Sequence, residues 1–227
     1  MSSATILTRR RLIGSALLAA ALPMSDARAA GTGKRISLLT RPAGSTRAQF
    51  VRDWLRLAGG AKTERLLFSE VFGTPEGEID ALASVWFPSG AAPAMPRVPG
   101  SQALDLPVRE HVFVPADRAA VRVKRTLLIG RKPGMPHAAF VRHWLDIHGP
   151  LSQGVPGLAG CVLNVVDERD AARSGIDGIS ESWWTGPGTE EGGKVASPQA
   201  DRWNADGANF IDSARTRLLL CREQLLR

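Results

Sequence analysis

Histidine is scarce in this chain, with four in 227 residues, and none of the four stands at a spacing that makes a zinc site. His143 and His148 are five apart, and on an α-helix five residues turn about 140°, which points their side chains away from each other. Cysteine is scarcer still. Whether Cys161 and Cys221 pair depends on the fold. No glycine-rich phosphate loop follows a strand. The Gly-rich segment Gly186 to Gly193, "GPGTEEGG", matches neither a dinucleotide nor a P-loop pattern and reads as a flexible loop. The G-x-S-x-G pattern of a nucleophile elbow is also missing. These absences leave no metal and no other cofactor to expect.

Charge of one sign is not concentrated either. The formal net charge is +7, and it is carried partly by the N-terminus. There "TRRRLIG" (Thr8 to Gly14) precedes an apolar run, Leu12 to Leu22, too short to span a bilayer. Ala27-Arg28-Ala29 follows as a small-x-small cleavage signal. The arginine pair resembles the twin-arginine export signal; an ordinary secretory signal or an uncleaved anchor is the alternative. Residues 1–29 are therefore expected to be a signal peptide and the protein to be periplasmic or secreted. Removing Arg9, Arg10, Arg11, Arg28 and Asp26 takes four positive charges and one negative from +7 and leaves +4. So small and dispersed an excess argues against a nucleic-acid partner. No other apolar run is long enough to cross a membrane, so no stable insertion is expected after cleavage.

What the chain does contain is a repeat. Residues 35–59, "RISLLTRPAGSTRAQFVRDWLRLAG", align without a gap to residues 125–149, "RTLLIGRKPGMPHAAFVRHWLDIHG", with 11 of 25 positions identical. A second match follows: "IDALASVWF" (79–87) answers "IDGISESWW" (176–184). The two units span residues 30–118 and 122–227, each one supersecondary module. In each, a β-rich run leads through a Pro/Gly turn into an amphipathic helix. Ser45 or Thr46 can cap the first helix, and Pro136 suits the first turn of the second. Two strands follow in each unit, "RLLFSEVF" with "LASVWF" and "CVLNVVDE" with "ISESWW". A polar segment of weak helical character and a last strand close each unit. The order predicted is βαββαβ, the ferredoxin-like split βαβ unit.

"FVRHWLDIHGPLSQGVPGL", "IDGISESWW" and "ADGANFID" (Ala205 to Asp212) resemble the EthD domain of the dimeric α+β barrel superfamily. The resemblance covers most of the second unit and fades in the first after Trp86. It implies an α+β fold in which two ferredoxin-like sheets pack face to face, here within one chain, as a monomer with an internal pseudo-dimer. A sheet with helices on one face leaves its other face to be covered. The strand order implied by the resemblance puts Cys161 and Cys221 on opposite edges, and so implies buried thiols rather than a disulfide.

Positions where the two copies differ are the candidates for function. With Phe140 at zero and 100° per residue, Trp144, Val141, Leu145 and Ile147 form one apolar arc, and His148 falls at about 80° within it. Arg142, His143 and Asp146 point to solvent. The first copy has Ala58 where the second has His148. His148 is either a capping or core histidine bonded to backbone at the helix end, or a general acid or base facing a cavity. The resemblance adds weight to the second, because His148 heads its His-x-Pro-Leu signature. Glu181 stands where the first copy has Ser84. It shares a strand face with Ile179 and Trp183, and is either a cavity carboxylate near the histidine or a solvated or ion-paired strand residue. Asp80 and Asp177, present in both copies, favour a turn or cap role.

Two functions follow. The first is a cofactor-independent enzyme that moves a proton on a small apolar or aromatic molecule, phenolic or enolisable; the resemblance to the EthD domain implies that it is oxidoreductase- or lyase-like. Its catalytic candidates are His148 and Glu181, and its pocket would be lined by Phe140, Trp144 and Trp183. The second is a non-catalytic binding or accessory protein for a hydrophobic small molecule.

Overall fold

The eight strands alternate inward and outward residues, and that alternation closes them into one antiparallel barrel. They are β1 (Thr32–Thr40), β2 (Arg65–Phe72), β3 (Ala81–Pro88), β4 (Gln102–Val114), β5 (Val123–Ile129), β6 (Leu158–Val166), β7 (Gly178–Trp184) and β8 (Arg217–Leu225). The computed structural model describes residues 32–60, 63, 65–72, 78–88, 93–117, 121–185 and 196–226; the export signal read in residues 1–29 lies outside them. Around the barrel the order is β1-β3-β2-β8-β5-β7-β6-β4, and β4 returns to β1. Each half of the sequence contributes four neighbouring strands in the same order: fourth, first, third, second. The halves join at two seams, β2 with β8 and β4 with β6.

Two helical layers cover the outside. In the first half, α1 (Arg47–Ala58) starts at Thr46, whose hydroxyl and the Gln49 side chain form a reciprocal capping box. It buries Phe50, Val51, Trp54 and Ala58 against Phe68, Ala83 and Val85 of β2 and β3. The Trp54 and Phe68 rings stack at 4.6 Å. In the second half, α2 (His137–His143) runs into a π-helical turn (Trp144–His148) and then α3 (Gly149–Leu151). Pro136 occupies the N-cap of α2 rather than its first turn. Phe140 and Trp144 pack on Leu163, Val165 and Trp184. Trp144 packs against Gly178 of β7, where a Cβ would stand 2.3 Å from the indole.

Three details differ from the sequence reading. A short helix, α4 (Glu168–Ser174), follows β6 and ends on Gly175 at φ 75°, the left-handed cap that glycine favours. The polar segment before the last strand of the second half forms a helix, α5 (Pro198–Gly207), capped by Ser197, whereas the described residues 93–101 of the first half hold no helix. Ile147, placed in the apolar arc, is 50% exposed, because the π turn breaks the 100° register on which that arc depends.

Repeated residues perform repeated structural tasks. Asp80 accepts from the Arg41 backbone N–H at 2.9 Å and from Arg47 Nε at 3.1 Å. Asp177 accepts from the Arg131 backbone N–H at 2.8 Å and from the Arg131 guanidinium. Each aspartate thus ties the turn after its half's first strand to the start of the third. Cys161 faces the helical layer and Cys221 the lumen; both are buried and no bond joins them. Among the described residues no helix is long and apolar enough to cross a membrane.

Trp54 and Trp144 are each 1% exposed or less. Cutting either back to alanine should therefore cost about 3–5 kcal/mol in chemical denaturation. A loss under about 1 kcal/mol at both would show that the two helical layers do not rest on these indoles.

Candidate functional site

The π turn brings together two histidines that an α-helix would separate. A π turn closes i to i+5, so His143 and His148 end on one side of the helix and share one carboxylate. His148 Nδ1 lies 2.9 Å from Asp206 Oδ2, and His143 Nε2 lies 3.0 Å from Asp206 Oδ1. Asp206 sits near the end of α5 and also accepts from Asn209 Nδ2 at 3.0 Å. Burial works to raise the Asp206 pKa, and hydrogen bonds from Asn209, His148 and His143 outweigh it and hold the group below the usual aspartate value. The rings of Phe210 (4.9 Å) and Trp203 (5.6 Å) flank His148. Its side chain keeps 12% exposure. The reading that turned His143 to solvent, away from His148, is corrected by this geometry.

Phe140 and Trp144 are fully buried, 5.3 Å apart between ring centroids. They belong to the packed core of the helical layer, with Val155, Trp203 and Phe210. Glu181 and Trp183 lie elsewhere. Along β7, Trp184 faces outward into the helical layer while Ile179, Glu181 and Trp183 face the lumen. The sheet itself therefore separates Glu181 and Trp183 from His148, Phe140 and Trp144, so the carboxylate near the histidine is Asp206 and not Glu181.

Glu181 is instead the centre of a buried ion network. It accepts from Lys124 Nζ at 2.6 Å, Lys34 Nζ at 2.9 Å and Asn164 Nδ2 at 2.9 Å. Lys34 also reaches Glu110 at 2.7 Å, and Lys124 reaches Glu223 at 2.8 Å. The Trp86 indole donates to Glu110 at 2.9 Å and the Trp183 indole to Glu223 at 3.1 Å. Each ammonium rests on a ring: Lys34 over Trp86 at 4.6 Å, Lys124 over Trp183 at 5.1 Å. Burial pushes the Glu181 pKa up, but the Lys124 and Lys34 ammoniums overcome it and hold the carboxyl far below the ordinary range. Burial likewise opposes the charge on Lys124, while Glu181 and Glu223 more than restore it and raise its pKa. An ionised carboxylate so held is a weak base and has no proton to give at neutral pH. Burial also raises the Cys221 thiol to about 12, which keeps it protonated.

The sequence reading missed Lys34, Lys124, Glu110 and Glu223, although a signal was there. Lys34 and Lys124 stand one residue before the aligned window, at the same ninety-residue offset. Trp86 and Trp183 are matched in the second repeat block, and Val108-Arg-Glu110 answers Cys221-Arg-Glu223. The lumen is thus built from pairs, with Glu181 as the unpaired member where the first copy has Ser84. One cavity, about 200 Å³, opens beside this network. Lys34, Arg65, Trp86, Glu110, Glu181 and Trp183 supply its polar and aromatic lining, and Leu67, Val112 and Val162 its apolar side. His148 does not line it. Among the described residues, no cluster of His, Cys, Asp and Glu could hold a metal ion.

With this geometry in view, comparison with known proteins is informative for the second half. A family model for the EthD domain matches residues 132–214. That segment includes His143, His148, Asp206 and Phe210. Among solved structures, a candidate monooxygenase from Lactobacillus acidophilus NCFM superposes with a TM-score of 0.52 at 13% identity, covering 86% of this chain and 95% of its own. An anthrone oxidase-like protein gives 0.56 at 12%, covering 86% and 93%. A candidate monooxygenase from Fusobacterium nucleatum gives 0.54 at 8%, covering 88% and 94%. At such identities these likenesses speak for the fold. Comparison with curated proteins gives no match.

The lumen network makes a pH prediction whose sign follows from the two shifts. Glu181, lowered on folding, stabilises the fold above the ordinary glutamate pKa, and that contribution is lost as pH falls through its folded value. Lys124, raised on folding, contributes below the ordinary lysine pKa, and that is lost as pH rises past it. Glu181→Gln should cost about 3–5 kcal/mol at neutral pH and flatten the acid limb of a denaturation-midpoint profile. Parallel profiles for the two proteins would contradict this.

Proposed function

We propose that this protein is a small-molecule enzyme in which His148, held by Asp206, moves a proton on a small apolar or aromatic substrate, phenolic or enolisable, without a cofactor. The observation that carries the reading is the 2.9 Å hydrogen bond from His148 Nδ1 to Asp206, within the segment that matches the EthD domain. An ionised Asp206 fixes the Nδ1–H tautomer, which makes Nε2 the basic nitrogen of the ring. It also stabilises the imidazolium that forms when Nε2 takes a proton from a substrate O–H or activated C–H. The aromatic edges of Phe210 and Trp203 keep the ring in place. The substrate anion, whose own conjugation carries the charge, then either expels a leaving group in lyase-like chemistry or gives up electrons to an external oxidant such as dioxygen in oxidoreductase-like chemistry. Glu181 is left as an electrostatic anchor in the lumen.

The same reading extends to the whole chain. Equal strand order in the two halves and the paired lumen residues support a duplicated ferredoxin-like module. A barrel that pairs all its own strand edges supports a monomer. Residues 1–29 would carry it to the periplasm or beyond.

His148→Ala should leave far-UV circular dichroism unchanged, since alanine is what α1 carries at Ala58. It should lower turnover of a responsive phenolic or enolisable aromatic by about 100- to 10,000-fold, with Asp206→Asn lowering it in the same direction. Undiminished turnover in His148→Ala would overturn the assignment. Ligand binding without turnover in the unsubstituted protein would instead favour a binding or accessory role.

A further inference from the structure

The lumen cavity is not explained by the histidine site, which lies on the other side of the sheet. Nor does it look like a simple packing defect. Defects of this size are apolar and lined by aliphatic side chains, whereas this one meets four charged groups and two indoles. Its walls are fixed: Trp86 is held by Glu110 and covered by the Arg65 guanidinium at 4.0 Å, and Trp183 is held by Glu223. Val112, 48% exposed, brings the cavity to the surface.

We propose that this cavity is a second binding site, independent of His148, for a neutral hydroxyl-bearing aromatic molecule of one or two rings. Size comes first. About 150 Å³ is enough to take a benzene, and this space is about 200 Å³. Shape comes next: two indoles, with cations over their faces, and the side chains of Leu67, Val112 and Val162 offer aromatic and apolar contact to a ring. The polar end is the most specific feature. Lys34 has three N–H donors, and the bonds to Glu110 and Glu181 take two of them. Glu110 is an acceptor 2.7 Å from that ammonium, and each of its oxygens has a further lone pair. A donor and an acceptor this close are the complement of a hydroxyl, which accepts and donates through one atom. Charge excludes the alternatives. The lining residues Lys34 and Arg65 balance Glu110 and Glu181, so a carboxylate or an ammonium would enter as an uncompensated charge.

The test is a calorimetric titration of the intact chain with 2-naphthol, against naphthalene and 2-naphthoate. The expected result is saturable one-to-one binding of 2-naphthol, at least tenfold tighter than either comparator. Val112→Trp, at an exposed position of the cavity wall, should weaken it at least tenfold, while His148→Ala should leave it unchanged. A crystal soaked with 2-naphthol should place the ring between Trp86 and Trp183, and decides the matter if Val112→Trp does not fold. No saturable binding, naphthoate binding as tightly as naphthol, loss of binding in His148→Ala, or a ring found outside the cavity would each overturn the proposal. Loss of binding in His148→Ala would place naphthol at the histidine site, whereas the other outcomes leave the proton-transfer reading untouched, so failure of one site is distinguishable from failure of the other.

Discussion

The bridge Lys34–Glu181–Lys124 is the interaction on which the rest of this fold depends. Three charged side chains, none more than 5% exposed, sit inside a barrel whose other lumen residues include Ile36, Leu38, Leu106 and Leu128. Charges cannot leave water at that depth unless each is met by its opposite and by further hydrogen bonds. The network meets them with at least one residue from every strand: Lys34, Ser69, Trp86, Glu110, Lys124, Asn164, Glu181 with Trp183, and Glu223. A one-residue slip of any strand would turn its member out of the lumen and expose an unmet charge. The network therefore specifies register as well as closure. It also sets the polarity of the barrel interior: one end is an apolar plug, the other an ion cluster with a cavity beside it.

The match in sequence and strand order between the two halves frames the division of labour between the layers. Where the copies agree, the residues build: Trp54 and Trp144 hold each helix to its sheet, and Asp80 and Asp177 hold each first turn. Where they differ, the second half holds the ionisable side chain. Ala58 lies closed in its layer, while His148 meets Asp206; Glu181 stands where the first half has Ser84. His148 and Glu181 are on opposite faces of the same sheet, so a substitution at one leaves the surroundings of the other in place.

Much of the barrel was legible in the sequence, because alternation in "LASVWF" and "ISESWW" and the ninety-residue offset are direct imprints of strands and of repetition. Inward placement of Ile179, Glu181 and Trp183 on one face was legible for the same reason. The partners of Glu181 were not, since Lys34 and Lys124 come from distant strands and lysine reads by default as a solvated residue. The histidine pair was hidden by a conformational exception. Nothing in "FVRHWLDIHG" announces a π turn, and with ordinary helical spacing His143 points to solvent and Ile147 to the core, the reverse of what the turn produces. Asp206 was within the quoted "ADGANFID", but only the packing of α5 on the π turn gives that aspartate its two histidines.

The central claim is that Glu181 couples the two halves of the barrel through the two lysines. A double-mutant cycle in chemical denaturation at neutral pH tests it most directly, with Lys34→Met, Lys124→Met and the pair. A shared carboxylate predicts that the combined loss differs from the sum of the single losses by about 1 kcal/mol or more. Additivity within about 0.5 kcal/mol would mean that the two ammoniums act separately, and that Glu181 does not hold the halves together.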